Sequence, residues 1–332
     1  MYWLYRLLWN EDEERLRAAW RLLIVLTLWI LLSALLNGTV GIWITAIMKR
    51  IWPLFGPLWG RVIGFVLILI STLMVSWFGA HFLDHRPVAE LWGRFSRDWW
   101  LDFAFGLGLG ALLMVLIFFI EWGAGWITIV GTFKASADDI PTVAGLLGAL
   151  IIFICVGIYE EVIFRGYQIR NLAEGLNFPA IGARGAVLIA WLTTSALFGL
   201  WHMFNPNSSA ISTAYLTLAG LLLGMGLVYT GNLAIPIGLH ITWNFFQGHV
   251  FGLPVSGFDY PGVTVIAVEQ AGPILWTGGS FGPEAGLVGI GAIGAGVLLT
   301  LLWLRRRYGL IELDRSLAQY VPVRAQIHTT KP

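Results

Sequence analysis

Residues 142–165 read TVAGLLGALIIFICVGIYEEVIFR. From Thr142 to Ile158 there is no charged side chain, and a helix of about 17–25 such residues spans a bilayer. Two adjacent carboxylates and an arginine then close the run. An ionisable group at membrane depth costs roughly 2.5–3.5 kcal/mol on insertion scales, which makes it a functional candidate by default. On a helix, Glu161 and Arg165 are four apart, share a face and can pair. Glu160 lies about 100° around the helix, with Phe164 rather than a cation below it. One carboxylate is neutralised by its neighbour, while the other is free to face a cavity. The structural alternative is a charged collar at the end of a span.

The rest of the chain repeats the apolar theme. Of 332 residues, 58% are hydrophobic and 12% charged, about half the charge of a soluble domain. Eight spans are predicted, at about 21–47, 61–82, 101–122, 142–164, 185–203, 211–230, 233–252 and 285–304. The fold class is therefore all-α, a polytopic membrane protein. The pieces between spans are polar or turn-rich, and the longest, about 253–284, is rich in Gly and Pro. With the N-terminus inside, inner segments hold sixteen Lys and Arg, while outer loops hold only Lys49, Arg50, Arg61 and Lys134. That asymmetry favours both termini in the cytoplasm.

A net charge of +1 gives no reason to expect a nucleic-acid partner. The single cysteine, Cys155, excludes an internal disulfide and reads as an inert core thiol. The opening MYWLYRLLWNEDEERLRAAW has mixed charges and no small-residue cleavage site, so it does not read as a cleavable signal. It suits an amphipathic helix at the membrane surface or an ordinary lead-in to the first span. Glycines at helical spacing, Gly106 with Gly110 and Gly220 with Gly224, suit close helix packing. GIGAIG (289–294) matches a dinucleotide fingerprint by letter only, because no strand precedes it and it lies inside a span.

Two further clusters place polar groups inside spans. FGLWH puts Phe198 and His202 four apart near the end of the fifth, and HITWN puts His240 and Asn244 four apart inside the seventh. Taken singly, each histidine reads as a packing residue and Asn244 as interhelical glue. Taken together with Glu160, they make a hydrolytic set. A glutamate and a histidine can share and deprotonate a water, while a histidine and an amide can hold a developing oxyanion.

EEVIFR, FGLWH and HITWN resemble the motifs EExxxR, FxxxH and HxxxN of the CAAX-protease and bacteriocin-processing family, also called the ABI family, in order and in spacing. The resemblance covers about 142–252 best, and FGLPVSG and GGSFGPEAG extend it toward residue 305. It implies an intramembrane glutamic endopeptidase with its site in a cavity among helices 4–7. Glu160 would be the general base, helped by His202. His240 and Asn244 would stabilise the tetrahedral intermediate, Arg165 would steady Glu161, and Phe198 would be a further supporting residue. The implied organisation is an N-terminal segment with two spans (1–100), a protease domain (101–305) and a cytoplasmic tail (306–332). The implied substrate is a membrane-embedded or lipidated peptide or protein, and the implied location is the bacterial cytoplasmic membrane. No cofactor is expected; the alternative is zinc or another divalent metal held by Glu160, His202 and His240. A non-catalytic scaffold or immunity protein and a proton-relay transporter are the other readings. Straight helices drawn from these boundaries set Glu160 and His202 on the order of 20 Å apart in depth, too far to share a water.

Overall fold

Apolar runs in lipid must satisfy their own backbone groups, so they fold as helices. The computed structural model describes residues 2–51, 56–137, 140–309 and 311–320. Seven helices are long and apolar enough to cross a membrane: α1 (Ala18–Ile51), α2 (Leu58–Leu83), α3 (Arg97–Gly123), α4 (Thr142–Leu176), α5 (Gly182–Phe204), α6 (Ala210–Thr230) and α8 (Leu287–Tyr308). Between the last two lies α7 (Ala234–Phe245), prolonged by a π-turn at Phe246–Val250.

The connections gather at two ends. At one, Arg21 in the first turn of α1 reaches Asp84 after α2, and Arg15 Nη2, before α1, donates to Glu174 Oε2 at the foot of α4 at 2.8 Å. Arg86 also reaches Glu174, and the Arg15 guanidinium lies 3.4 Å from the centre of the Tyr320 ring. Leu233 N–H, just before α7, donates to Trp92 O, and Asp314 N–H to Val228 O. At the other end a two-stranded antiparallel ribbon forms from β1 (Ile127–Ala135) and β2 (Val263–Gln270). Ser136 N–H donates to Gly262 O there, Ala271 N–H to Trp126 O and Asn205 Nδ2 to Ser256 O. Both strands lie in stretches expected to be loop.

All eight helical segments thus run between an arginine-rich end and a ribbon end, and Arg15 and Tyr320 share the former. Seven of the eight expected spans are long apolar helices, and the eighth, α7 with its π-turn (Ala234–Phe245 and Phe246–Val250), lies at the short limit for a span. Its extension stops because Gly252 turns the chain at φ 63° and Pro254 follows. The fourth span also differs, running on to Leu176 rather than stopping near 164. The opening segment is a seven-residue helix, Tyr2–Leu8, followed by a small hairpin rather than one long amphipathic helix. Of the tail, residues 321–332, with Arg324 and Lys331, lie outside the described residues, as do parts of two loops, 52–55 and 138–139.

Small residues set the closest helix contact. Added Cβ atoms on Gly106 and Gly110 of α3 would strike the backbone of Ile235 and Leu239 on α7, and one on Gly238 would strike the Phe103 carbonyl. Thr242 Oγ1 donates to Leu107 O at 2.8 Å across the same seam. Gly108 has open space around it. Gly238→Leu should therefore cost several kcal/mol and most of the folded yield, since backbone cannot move aside, while Gly108→Leu should be near neutral. Thermal melting in detergent checks the contrast, and equal melting of the two variants would count against the seam.

Candidate active site

Helix α4 does not end at its charged cluster. The backbone widens into a π-turn over Glu161–Ile169 and then resumes as α-helix to Leu176, the kind of irregularity that often marks a functional site. Every residue from Tyr159 to Asn171 is buried. Measured from the α4–α5 turn, Glu160 lies sixteen residues before Leu176 and His202 twenty after Gly182, about 24 and 30 Å. The expected 20 Å mismatch in depth shrinks to about 6 Å. The misplacement came from ending α4 too early.

Glu160, His202, His240 and Asn244 line one cavity of about 270 Å³. Its wall mixes aliphatic side chains such as Leu222 and Leu239 with the aromatics Phe65, Tyr159, Trp201, Trp243 and Tyr260. The two glutamates have different surroundings. Glu161 Oε1 accepts from Arg165 Nη1 at 3.0 Å and from His240 Nδ1 at 2.7 Å, and Glu161 has no exposed surface. Glu160 Oε1 accepts from the Tyr159 hydroxyl at 3.2 Å, while its Oε2 is buried without a hydrogen-bond partner. That oxygen lies 3.8 Å from His240 Nε2, too long for a hydrogen bond but close enough for one water beside the pair to reach both.

Hydrogen-bond partners assign the imidazole protons. His202 Nδ1 sits 2.8 Å from the Phe198 carbonyl, an acceptor only, so Nδ1 carries hydrogen and Nε2 keeps a lone pair. Phe198 is the spacer of the site. Its ring is 4.6 Å from that of His202 and 6.2 Å from that of His240, and the Arg165 guanidinium lies 4.1 Å from its centre. Asn244, one turn beyond His240, lines the cavity.

Sequence reasoning missed three contributors. Tyr159 adjoins the motif yet lies outside it, and the Glu161–His240 bond joins two motifs that looked separate. Glu284 is the third, a lone carboxylate in a glycine-rich stretch, which was its only signal. It lines the cavity, almost wholly buried, accepting from Gln247 Nε2, Ser256 N–H at 2.6 Å and Ser256 Oγ at 3.0 Å. Burial pushes its carboxyl up to about 7. Among the described residues, no group of three His, Cys, Asp or Glu side chains is placed to hold a metal ion.

A membrane-spanning helical bundle that encloses an acid, two imidazoles and an amide in one cavity has the make-up of an intramembrane hydrolase. Residues 142–246 match the family described as type II CAAX prenyl endopeptidase, Rce1-like. That segment, about a third of the chain, holds all three motifs. No curated protein and no solved structure matches the chain.

The asymmetry of the glutamates has a measurable consequence. Glu161→Gln and Arg165→Ala each leave a buried charge unpaired and should lose roughly 3–5 kcal/mol, seen as lower folded yield or melting temperature. Glu160→Gln, which breaks no ion pair with a fixed cation, should melt near the parent; equal losses would remove the distinction. Glu284 adds a pH dependence. Its folded carboxyl stays protonated up to about 7, against 4.5 when exposed. The stability it contributes is full below pH 4.5 and gone above 7, a loss of about 3 kcal/mol. Melting temperature in detergent should fall between pH 5 and 8, and this component should vanish in Glu284→Gln. An unchanged slope in that variant would assign the effect elsewhere.

Proposed function

We propose that the protein is a glutamic-type endopeptidase that hydrolyses a peptide bond of a membrane-associated substrate with a water activated by Glu160 and His202. The observation that carries this reading is the single cavity joining Glu160, His202, His240 and Asn244. Glu160 Oε2, buried and unpartnered, takes a proton from the water, and His202 Nε2 accepts a hydrogen bond from the same water. The hydroxide adds to the scissile carbonyl. His240 Nε2–H and the Asn244 amide then hold the oxyanion. When the tetrahedral intermediate collapses, Glu160 returns its proton to the leaving amine, so the step balances as the addition of one water across the peptide bond.

The substrate we propose is a lipidated or precursor peptide held at the bilayer, because the cavity wall between the polar groups and the mouth is aromatic and apolar. The water-based mechanism is proposed to need no metal, and activity should persist after exhaustive chelation.

The test is cleavage of a peptide library by purified, reconstituted protein. His202→Ala should abolish turnover, and Asn244→Ala should slow it by roughly 10²–10³-fold, the range for a lost oxyanion donor. Glu160→Gln should be folded and inactive. Cleavage by Glu160→Gln at the parent rate would sink the mechanism.

A further inference from the structure

The lining of the cavity reaches the connections at one end of the bundle only. There it includes Arg61 near the start of α2, Asn205 just past α5, and Ser256, Phe258 and Tyr260 in the connection that follows α7, and we take this end as its mouth. All of these lie at the ribbon end, where Asn205 is bonded to Ser256. Toward the opposite end, the unbroken buried stretch Glu161–Asn171 forms the floor. Below the floor Arg15, Arg21 and Arg86 converge on Asp84 and Glu174, and Asn171 Nδ2 donates to Asp84 Oδ2 at 3.2 Å. No residue of that cluster lines the cavity.

The two ends differ in exposed charge. Arg17, Arg94, Arg97, Arg184, Arg305 and Arg306 are exposed at the closed end. The open end exposes Lys49, Arg50, Arg61 and Lys134 on its loops and the adjoining helix turns. During insertion, Lys- and Arg-rich loops are retained on the cytoplasmic side. The plugged end is then the cytoplasmic one.

We propose that the cavity opens on the face of the membrane opposite the cytoplasm, so that a substrate's scissile segment must be translocated or inserted across the bilayer before it is cleaved. The step that supplies the substrate is thus protein or peptide export. A lipidated C-terminus that stays in the cytoplasm meets the closed floor and is not a substrate. A precursor whose cleaved segment emerges at the outer leaflet reaches Glu160 past Tyr260. This rests on the cavity being the place of cleavage; the orientation itself can be measured without any activity.

Single cysteines placed in a Cys155→Ala background report the orientation directly. Lys134→Cys marks the ribbon and Asp259→Cys the mouth, while Asp12→Cys marks the plugged end; all three positions are exposed. A membrane-impermeant maleimide should label the first two in intact cells to the same extent as after permeabilisation. Asp12→Cys should react only after permeabilisation. The reverse pattern overturns the proposal, and so does equal labelling of all three in intact cells. Either result would leave the hydrolytic reading intact, which falls only if Glu160→Gln retains turnover.

Discussion

One buried oxygen, Oε1 of Glu161, receives both the Arg165 guanidinium and the His240 imidazole. The first bond lies within α4 and the second ties α4 to α7. In a low-dielectric interior neither the carboxylate nor the guanidinium is tolerable alone, so the pair is held as a unit. His240 is positioned by that unit, and Asn244 follows one turn along the same helix. The adjacent Glu160 is left out of that arrangement: its Oε1 accepts from the Tyr159 hydroxyl alone, while Oε2 of each glutamate is buried without a hydrogen-bond partner. Two identical side chains at neighbouring positions thus have opposite fates. One is spent on architecture, and the other is the carboxylate we propose for chemistry.

The helices that precede the family segment are part of the same construction. Trp29 of α1 donates its indole N–H to Thr72 Oγ1 of α2 at 2.8 Å. Its ring packs 6.4 Å from Tyr159 and 5.6 Å from Trp201. Tyr159 in turn bonds Glu160, and Trp201 walls the cavity. A chain of contacts therefore runs from the first two helices to the catalytic candidate. The arginine cluster on Glu174 anchors the far end of α4 to both N-terminal helices and to the segment around Tyr320.

Much of this was legible in the residues because hydropathy and helical spacing are local signals. The apolar runs give the helices, and the i, i+4 spacing gives the Glu161–Arg165 pair. What could not be read depends on where helices stop. YEEVIFRG looks like an end because charge replaces apolar residues, yet Arg165 and Glu161 neutralise each other and the helix continues through a π-turn. That single misjudged boundary produced the false gap between Glu160 and His202. The Glu161–His240 bond spans 79 positions and leaves no trace in either motif taken alone. The ribbon was hidden for another reason: β1 is interrupted by Gly131 and pairs with β2 across more than a hundred residues.

The glycine seam between α3 and α7 bears on how such a molecule can yield to a guest. Where two backbones touch directly, there is no layer of flexible side chains to deform, so the contact transmits displacement rather than absorbing it. The wall bearing His240 and Asn244 is of this unyielding kind. Elsewhere the lining includes long aromatic side chains, Phe65, Tyr260 and Trp201, and a ring can turn where a backbone cannot. Compliance is therefore uneven: the seam fixes the helix that carries His240 and Asn244, and the room for a guest has to come from the aromatic rings.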